Sequence, residues 1–135
     1  MDFQYPPQIL GEWRKLTAEQ KVEWLDAARD KNFAASEVPY VKRLGRRIEI
    51  DGRDIQKELS FYCAVGEEVN GPGGYFGRKF SGFDDCLFGG FGLDAPWQFI
   101  WKNSQDSRKY LNAQALLNFC KKSLANNPEI HTEAF

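Results

Sequence analysis

The sequence has little of what most enzyme sites are built from. It contains one histidine, His131, near its end, and three widely spaced cysteines, Cys63, Cys86 and Cys120, with no Cys-x-x-Cys pair. A Ser-His-Asp or Cys-His arrangement would require the tail to fold back into a site, and a zinc site would require clustered ligands. We therefore expect no enzyme, no metal and no cofactor, and we interpret the cysteines as reduced, buried side chains.

Long apolar runs and a strong net charge are also missing. No apolar stretch approaches the roughly 18 residues of a membrane-spanning helix, and the N-terminus lacks an apolar signal-peptide region. The net charge of −1 provides no strong field for nucleic acid or membranes. We expect a cytoplasmic protein, and 135 residues with 42% hydrophobic content are enough to bury a core without disulfides.

The chain divides into an N-terminal extension, residues 1–43, and a main domain, residues 44–135. In the extension, Thr17 and Gln20 form a capping-box pattern, which predicts a helix over about residues 18–30. The helix is amphipathic and needs a surface to pack on. Its apolar side is predicted to consist of Val22, Trp24, Leu25 and Ala28.

In the main domain, short alternating and continuous apolar runs are separated by helical patterns. The predicted elements are, in order, a strand at Arg47–Ile50, a helix capped by Asp54, a short helix at Lys79–Phe88, a central buried strand at Pro96–Trp101, a helix from about Ser107, and a weakly alternating strand in the tail. Strands that alternate with helices predict an α/β fold, in which helices pack on a small parallel sheet.

The segment from Gly71 to Phe91 is the most informative part of the sequence. Two glycine-rich turns bracket the short helix, which carries Asp84 and Asp85 among aromatic residues. Adjacent helical positions point about 100° apart, so the two carboxylates do not converge as an acid-base pair or a metal site. The glycines also follow a helix and do not spell a nucleotide-binding motif.

A helical wheel assigns roles to the two aspartates. It places Phe80, Phe83 and Leu87 on a buried stripe, Asp85 opposite them and Asp84 beside them. One interpretation is a solvated acidic helix over an aromatic core. The other is a pre-organised surface on which charge and aromatic rings grip a partner protein.

The same residues resemble the barstar family of intracellular ribonuclease inhibitors. The resemblance covers about residues 44–135 and is most specific in the short helix and the loop before it. The matching pieces are Ile50-Asp51-Gly52-Arg53-Asp54-Ile55, Tyr75-Phe76-Gly77, Phe80, Asp85-Cys86-Leu87 with Gly89, and Trp101-Lys102 after Pro96.

The resemblance implies a three-stranded parallel sheet packed with helices, here preceded by the helical extension. It also implies that the Gly74–Gly90 loop and helix plug the active site of a toxin, a ribonuclease or other nuclease, in a bacterial toxin-antitoxin or immunity setting. Asp85 would occupy the phosphate position of the substrate. The partner-binding residues would be Tyr75, Phe76, Gly77, Ser81, Asp84, Asp85, Phe88 and Gly89.

Departures from the family pattern change the expected partner. Ser81 replaces the first aspartate of the family helix, Lys79 replaces an asparagine, and Asp84 replaces an aromatic residue. In the last helix, Lys121 or Lys122 stands where the family has an acidic contact. Lys79 and Lys122 are the predicted secondary contacts, and these lysines suggest a partner surface of mixed charge. An interaction module or homo-oligomer with the same fold and no toxin target is the alternative hypothesis.

Overall fold

The computed structural model of the chain describes residues 3–35, 39–110, 115–116, 118, 121–122 and 130–133. Its helices and strands are α1 (Ala18–Ala35), β1 (Arg47–Asp51), α2 (Glu58–Asn70), α3 (Phe80–Cys86), β2 (Trp97–Lys102), α4 (Ser104–Arg108) and β3 (Ile130–Glu133). Two 3-10 turns, Glu12–Lys15 and Gly52–Asp54, precede α1 and α2.

The strands form a parallel sheet in the order β1-β2-β3. Ile48 pairs with Phe99, and Gln98 pairs with His131. On β2 the adjacent residues Phe99 and Ile100, which point to opposite faces, are both buried, so both faces of the strand are covered. The predicted class, a small parallel sheet packed with helices, is confirmed.

Helix α1 begins with the predicted capping box. The backbone N–H of Thr17 donates to Gln20 Oε1 at 2.9 Å, and the N–H of Gln20 donates to Thr17 Oγ1 at 3.2 Å. The helix continues to Ala35, five residues beyond the predicted end, because no glycine or proline interrupts it. Val22 is also wrong as a core residue, since it is 43% exposed while Trp24, Leu25 and Ala28 are buried.

The predicted cap of α2 is likewise wrong. Asp54 lies in the 3-10 turn after β1, where its carboxylate pairs with Arg14 at 3.0 Å, and α2 begins only after Lys57. The sequence after Asp51 permits a capped helix. Because the 3-10 turn intervenes, the helix starts three residues later than a cap at Asp54 would give. Asp51 instead bonds the backbone N–H of Arg53 at 3.0 Å and so fixes the turn.

The N-terminal residues share one core with the sheet. Trp13, Trp24 and Leu25 belong to the same buried cluster as Phe61 of α2 and Trp101 of β2. Helix α1 lies on α2, so the extension covers the outer side of the helix that packs on the sheet. Large buried aromatic side chains of this kind dominate the energetics of a core.

Two of the cysteines are buried free thiols, as predicted. Burial raises the pKa of Cys63 and of Cys86 to about 12, so both stay protonated at neutral pH. Cys120 lies outside the described residues. No helix in the described part of the chain is long and apolar enough to cross a membrane.

Candidate partner-binding surface

Asn70, the last residue of α2, holds both ends of the glycine-rich segment. Its Nδ2 donates to the carbonyl oxygens of Tyr75 and Phe91, each at 2.7 Å. Its Oδ1 accepts from the Arg43 guanidinium at 2.9 Å. One side chain therefore closes the segment into a loop whose two ends lie side by side. The sequence marks this asparagine only as the end of a helix.

Two glycines make the closed loop possible. Gly77 has φ of +93°, and a Cβ there would lie 2.6 Å from the backbone nitrogen of Phe83. Gly92 has φ of +111°, and its Cβ would collide with Asn70 Oδ1. Any other residue would meet both backbone strain and a clash at these positions. The glycines thus let the loop approach α3 and Asn70 closely.

In the first half of the segment, Tyr75, Phe76 and Gly77 lie inside the protein. Phe76 is fully buried against Phe83 with ring centroids 5.8 Å apart, Tyr75 is 9% exposed, and Gly77 is buried. Burial raises the pKa of the Tyr75 phenol, with nearby charges contributing less. The sequence predicted Phe76 as a contact residue. Its side chain instead packs against Phe83 on the buried side of α3. We therefore leave Phe76 out of the proposed contact surface.

The second half of the segment has one solvent-facing side, opposite the buried Phe83, Cys86 and Leu87. Ser81, Asp84 and Asp85 on α3 are exposed, and Phe88 just after the helix is 85% exposed. Within the described residues, neither carboxylate forms an ion pair. This is the part of the segment that offers both charge and an aromatic ring to a partner.

The predicted difference between the two aspartates is wrong. The buried stripe of α3 consists of Phe83, Cys86 and Leu87, while Phe80 is only half-buried. Because Cys86 joins the stripe, its centre is rotated by tens of degrees away from Asp84, at about 100° per residue. Asp84 therefore faces solvent together with Asp85, and α3 presents a pair of carboxylates.

Asp94, which the sequence analysis missed, fixes the turn after α3. Its carboxylate accepts from Tyr40 Oη at 2.6 Å, from the backbone N–H of Arg43 at 2.8 Å and from the N–H of Gly90 at 3.1 Å. Desolvation opposes ionisation of the 8% exposed side chain, but these hydrogen bonds outweigh it and lower the pKa of Asp94. The only local signal is an aspartate that follows a glycine-rich turn.

Tyr40, which is bonded to Asp94, and Leu44 form an apolar rim near Phe88. A groove of about 360 Å³ separates Phe88 and Gly89 from this rim. Leu44 is 58% exposed and Tyr40 is 45% exposed along the same groove. Exposed apolar side chains grouped beside charges are typical of protein-binding surfaces.

The remaining predicted contacts are Lys79, Gly89 and the two lysines of the last predicted helix. Lys79 precedes α3 and is exposed, and Gly89 follows it with φ of +103°. Lys121 and Lys122 are exposed residues in helical conformation. Arg78, next to Lys79 in the sequence, points towards α1, where it pairs with Asp26 at 3.2 Å.

The described residues contain no group of three or more His, Cys, Asp or Glu side chains that could hold a metal ion. What the site offers is a rigid loop and helix, two exposed carboxylates and an exposed phenylalanine on a small parallel α/β domain. Such a surface is suited to binding a protein.

A comparison of the chain with protein-family models points to the same class of protein. The model described as Barstar (barnase inhibitor) matches residues 46–127, more than half of the chain, and the chain therefore belongs to the barstar family. The resemblance stated from the sequence is confirmed. A search of curated proteins gave no match.

Proposed function

We propose that this protein is an inhibitor or immunity protein that binds a toxin, a ribonuclease or other nuclease, and blocks its active site with the Gly74–Gly90 loop and helix. The observation that carries the proposal is the pair of exposed carboxylates on α3, which form no ion pair with any residue that the structure describes, with Phe88 beside them. Membership of a family whose model is described as a barnase inhibitor supports it.

The chemistry of α3 fits the site of an enzyme that binds phosphodiesters. Such a site is lined by cations, so a carboxylate can occupy the position of a substrate phosphate and accept the same hydrogen bonds. Asp85 has this role in the proposal, and Asp84 adds a second charge on the same face. Phe88 supplies apolar area that excludes water from the charged contact.

Rigidity is the second support for the proposal. The Asn70 bonds, the buried ring of Phe76 and the Asp94 bonds hold the loop in one shape before binding. A surface that is already ordered loses less conformational entropy on association. The exposed contact residues in this proposal are Ser81, Asp84, Asp85 and Phe88, with the half-buried Gly89 beside them, Tyr75 and Gly77 at the buried edge of the contact, and Lys79 and Lys122 as secondary contacts.

The experiment begins with the full-length chain expressed with an affinity tag in its native cells. Copurifying proteins are identified by mass spectrometry, and each candidate nuclease is then purified alone and assayed with and without the inhibitor. The proposal predicts a one-to-one complex in which nuclease activity is lost. If self-association is the only interaction found, the alternative of a barstar-fold interaction module or homo-oligomer is correct.

The division between residues 1–43 and 44–135 is also part of the proposal. The family match begins at residue 46, which supports treating the extension as an addition to the family domain. The shared core nevertheless predicts that both parts unfold together. A single calorimetric transition of the full chain would support this, and two separated transitions would contradict it.

A further inference from the structure

A cleft of about 450 Å³ lies between the N-terminal extension and the glycine turns. This volume is within the range of protein pockets that bind ligands or side chains. Helix α1 forms one wall, and the two ends of the Gly71–Phe91 segment form the other. The described lining residues are Ala28, Lys31, Asn32, Tyr40, Arg43, Asn70, Pro72, Gly73, Gly74, Tyr75, Gly90, Phe91 and Gly92.

The charge of the cleft is opposite to that of α3. Lys31 and Arg43 contribute two cations, and the described lining residues include no carboxylate. Within the described residues neither cation forms an ion pair. Arg43 donates to Asn70 Oδ1 at 2.9 Å and to the Val69 carbonyl at 3.4 Å, which leaves several of its five N–H donors for a ligand.

The rest of the lining consists of aromatic and amide groups. Tyr75 and Phe91 lie with their rings 6.3 Å apart, and Asn32 of α1 lies on the opposite wall. Aromatic walls can pack against the apolar stem of a side chain, while the cations of the cleft can pair with a carboxylate at its end. This combination fits an aspartate or glutamate side chain that projects from a protein.

The cleft is continuous with the surface described above. Gly90 lines both the cleft and the groove beside Phe88, and Tyr75 lies at the foot of α3. A protein seated on α3 would therefore extend over the cleft. Because the two areas carry opposite charges, they would favour one orientation of the partner and disfavour partners with a uniformly basic face.

We infer that the toxin bound by α3 inserts an acidic side chain into this cleft, against Lys31 and Arg43. The inference rests on the proposed function and adds the N-terminal extension to the interface. The partner then carries two features next to each other: a basic site opposite Asp85 and a projecting carboxylate opposite Arg43.

The test compares charge changes in the cleft with a matched charge reversal elsewhere, all in the full-length chain. Lys31→Glu alters the α1 wall, and Arg43→Gln alters the other wall without adding a charge. Lys57→Glu is the control, because Lys57 is exposed at the opposite end of α2, about 20 Å from Asn70 at 1.5 Å per residue. The probe is the purified nuclease recovered with the wild-type chain, titrated calorimetrically at physiological salt.

We expect Lys31→Glu and Arg43→Gln each to weaken binding about tenfold or more, while Lys57→Glu changes affinity less than about threefold. Unchanged affinity in both cleft variants, with Asp85→Ala still weakening binding, overturns the inference and leaves the proposed function intact. A wild-type chain that binds no nuclease overturns both. Circular dichroism melting of each variant separates lost binding from lost folding.

Discussion

The two halves of the Gly71–Phe91 segment differ in how much side-chain surface they expose. In the first half the Phe76 side chain is fully buried, whereas in the second half Phe88 is 85% exposed. The first half makes bonds to Asn70 and contacts α3, and the second half carries carboxylates without ion-pair partners in the described residues. The comparison teaches that the motif combines a scaffold with a contact surface. Mutations in the two halves should have different consequences.

Phe76→Ala should have the largest effect, and it should act on folding. Removing a fully buried aromatic ring leaves a cavity and typically costs about 3–5 kcal/mol of unfolding free energy. Urea denaturation measures the change. If stability fell by less than about 1 kcal/mol, Phe76 would not be part of the scaffold. Phe76→Leu is the control and should cost less.

Phe88→Ala should act on binding alone. The side chain is exposed, so the unfolding free energy should change by less than about 0.5 kcal/mol. Loss of a central aromatic anchor should weaken nuclease binding by about 2 kcal/mol or roughly thirtyfold. The same urea series and calorimetric titration check both expectations. Full affinity in this variant would remove Phe88 from the contact surface.

Asn70→Asp tests the link between the two halves. The substitution replaces the donor Nδ2 by an acceptor that faces the carbonyl oxygens of Tyr75 and Phe91. We expect a loss of about 1–3 kcal/mol of stability, because two partly buried hydrogen bonds are lost. Hydrogen exchange should rise throughout the segment while the sheet stays protected. Exchange confined to residue 70 would show that the loop ends are held by other contacts.

Tyr5→Phe should have the smallest effect. The Tyr5 hydroxyl donates to the Gly73 carbonyl at 2.6 Å, so the extension is tied to the start of the segment. Loss of this bond should cost about 1 kcal/mol. Because the lost bond ends at Gly73, the variant should show faster hydrogen exchange than the wild type near residues 71–74. An unchanged exchange rate there would mean that the extension does not restrain the segment.

Periodicity and turn chemistry predicted the α/β class and most elements. The alternation at Arg47–Ile50 gave β1, and the Thr17–Gln20 pattern gave the start of α1. The end of α1 and the start of α2 were wrong because α1 has no stop signal and the Asp51 turn competes with a cap at Asp54. Both errors concern element boundaries, where local signals compete.

The candidate site was predictable as a segment but not as a set of side-chain directions. In a seven-residue helix, assigning one more residue to the buried side changes the predicted direction of all the others. The burial of Cys86 rotates the buried side away from Asp84. The bonds of Asn70 and Asp94 join residues 21 and 54 positions away, and no local pattern encodes such pairs. The cleft likewise brings Lys31 of α1 to the glycine turns through the tertiary fold alone.

The most direct test of the central claim is the affinity of Asp85→Ala for the purified nuclease. Asp106→Asn is a control that removes one charge on α4, which packs on the Gly52–Asp54 turn after β1. The account predicts a loss of at least about 2 kcal/mol for Asp85→Ala, restored inhibition only at excess inhibitor, and wild-type affinity for Asp106→Asn. Wild-type affinity and full inhibition by Asp85→Ala would contradict the claim that α3 occupies the active site.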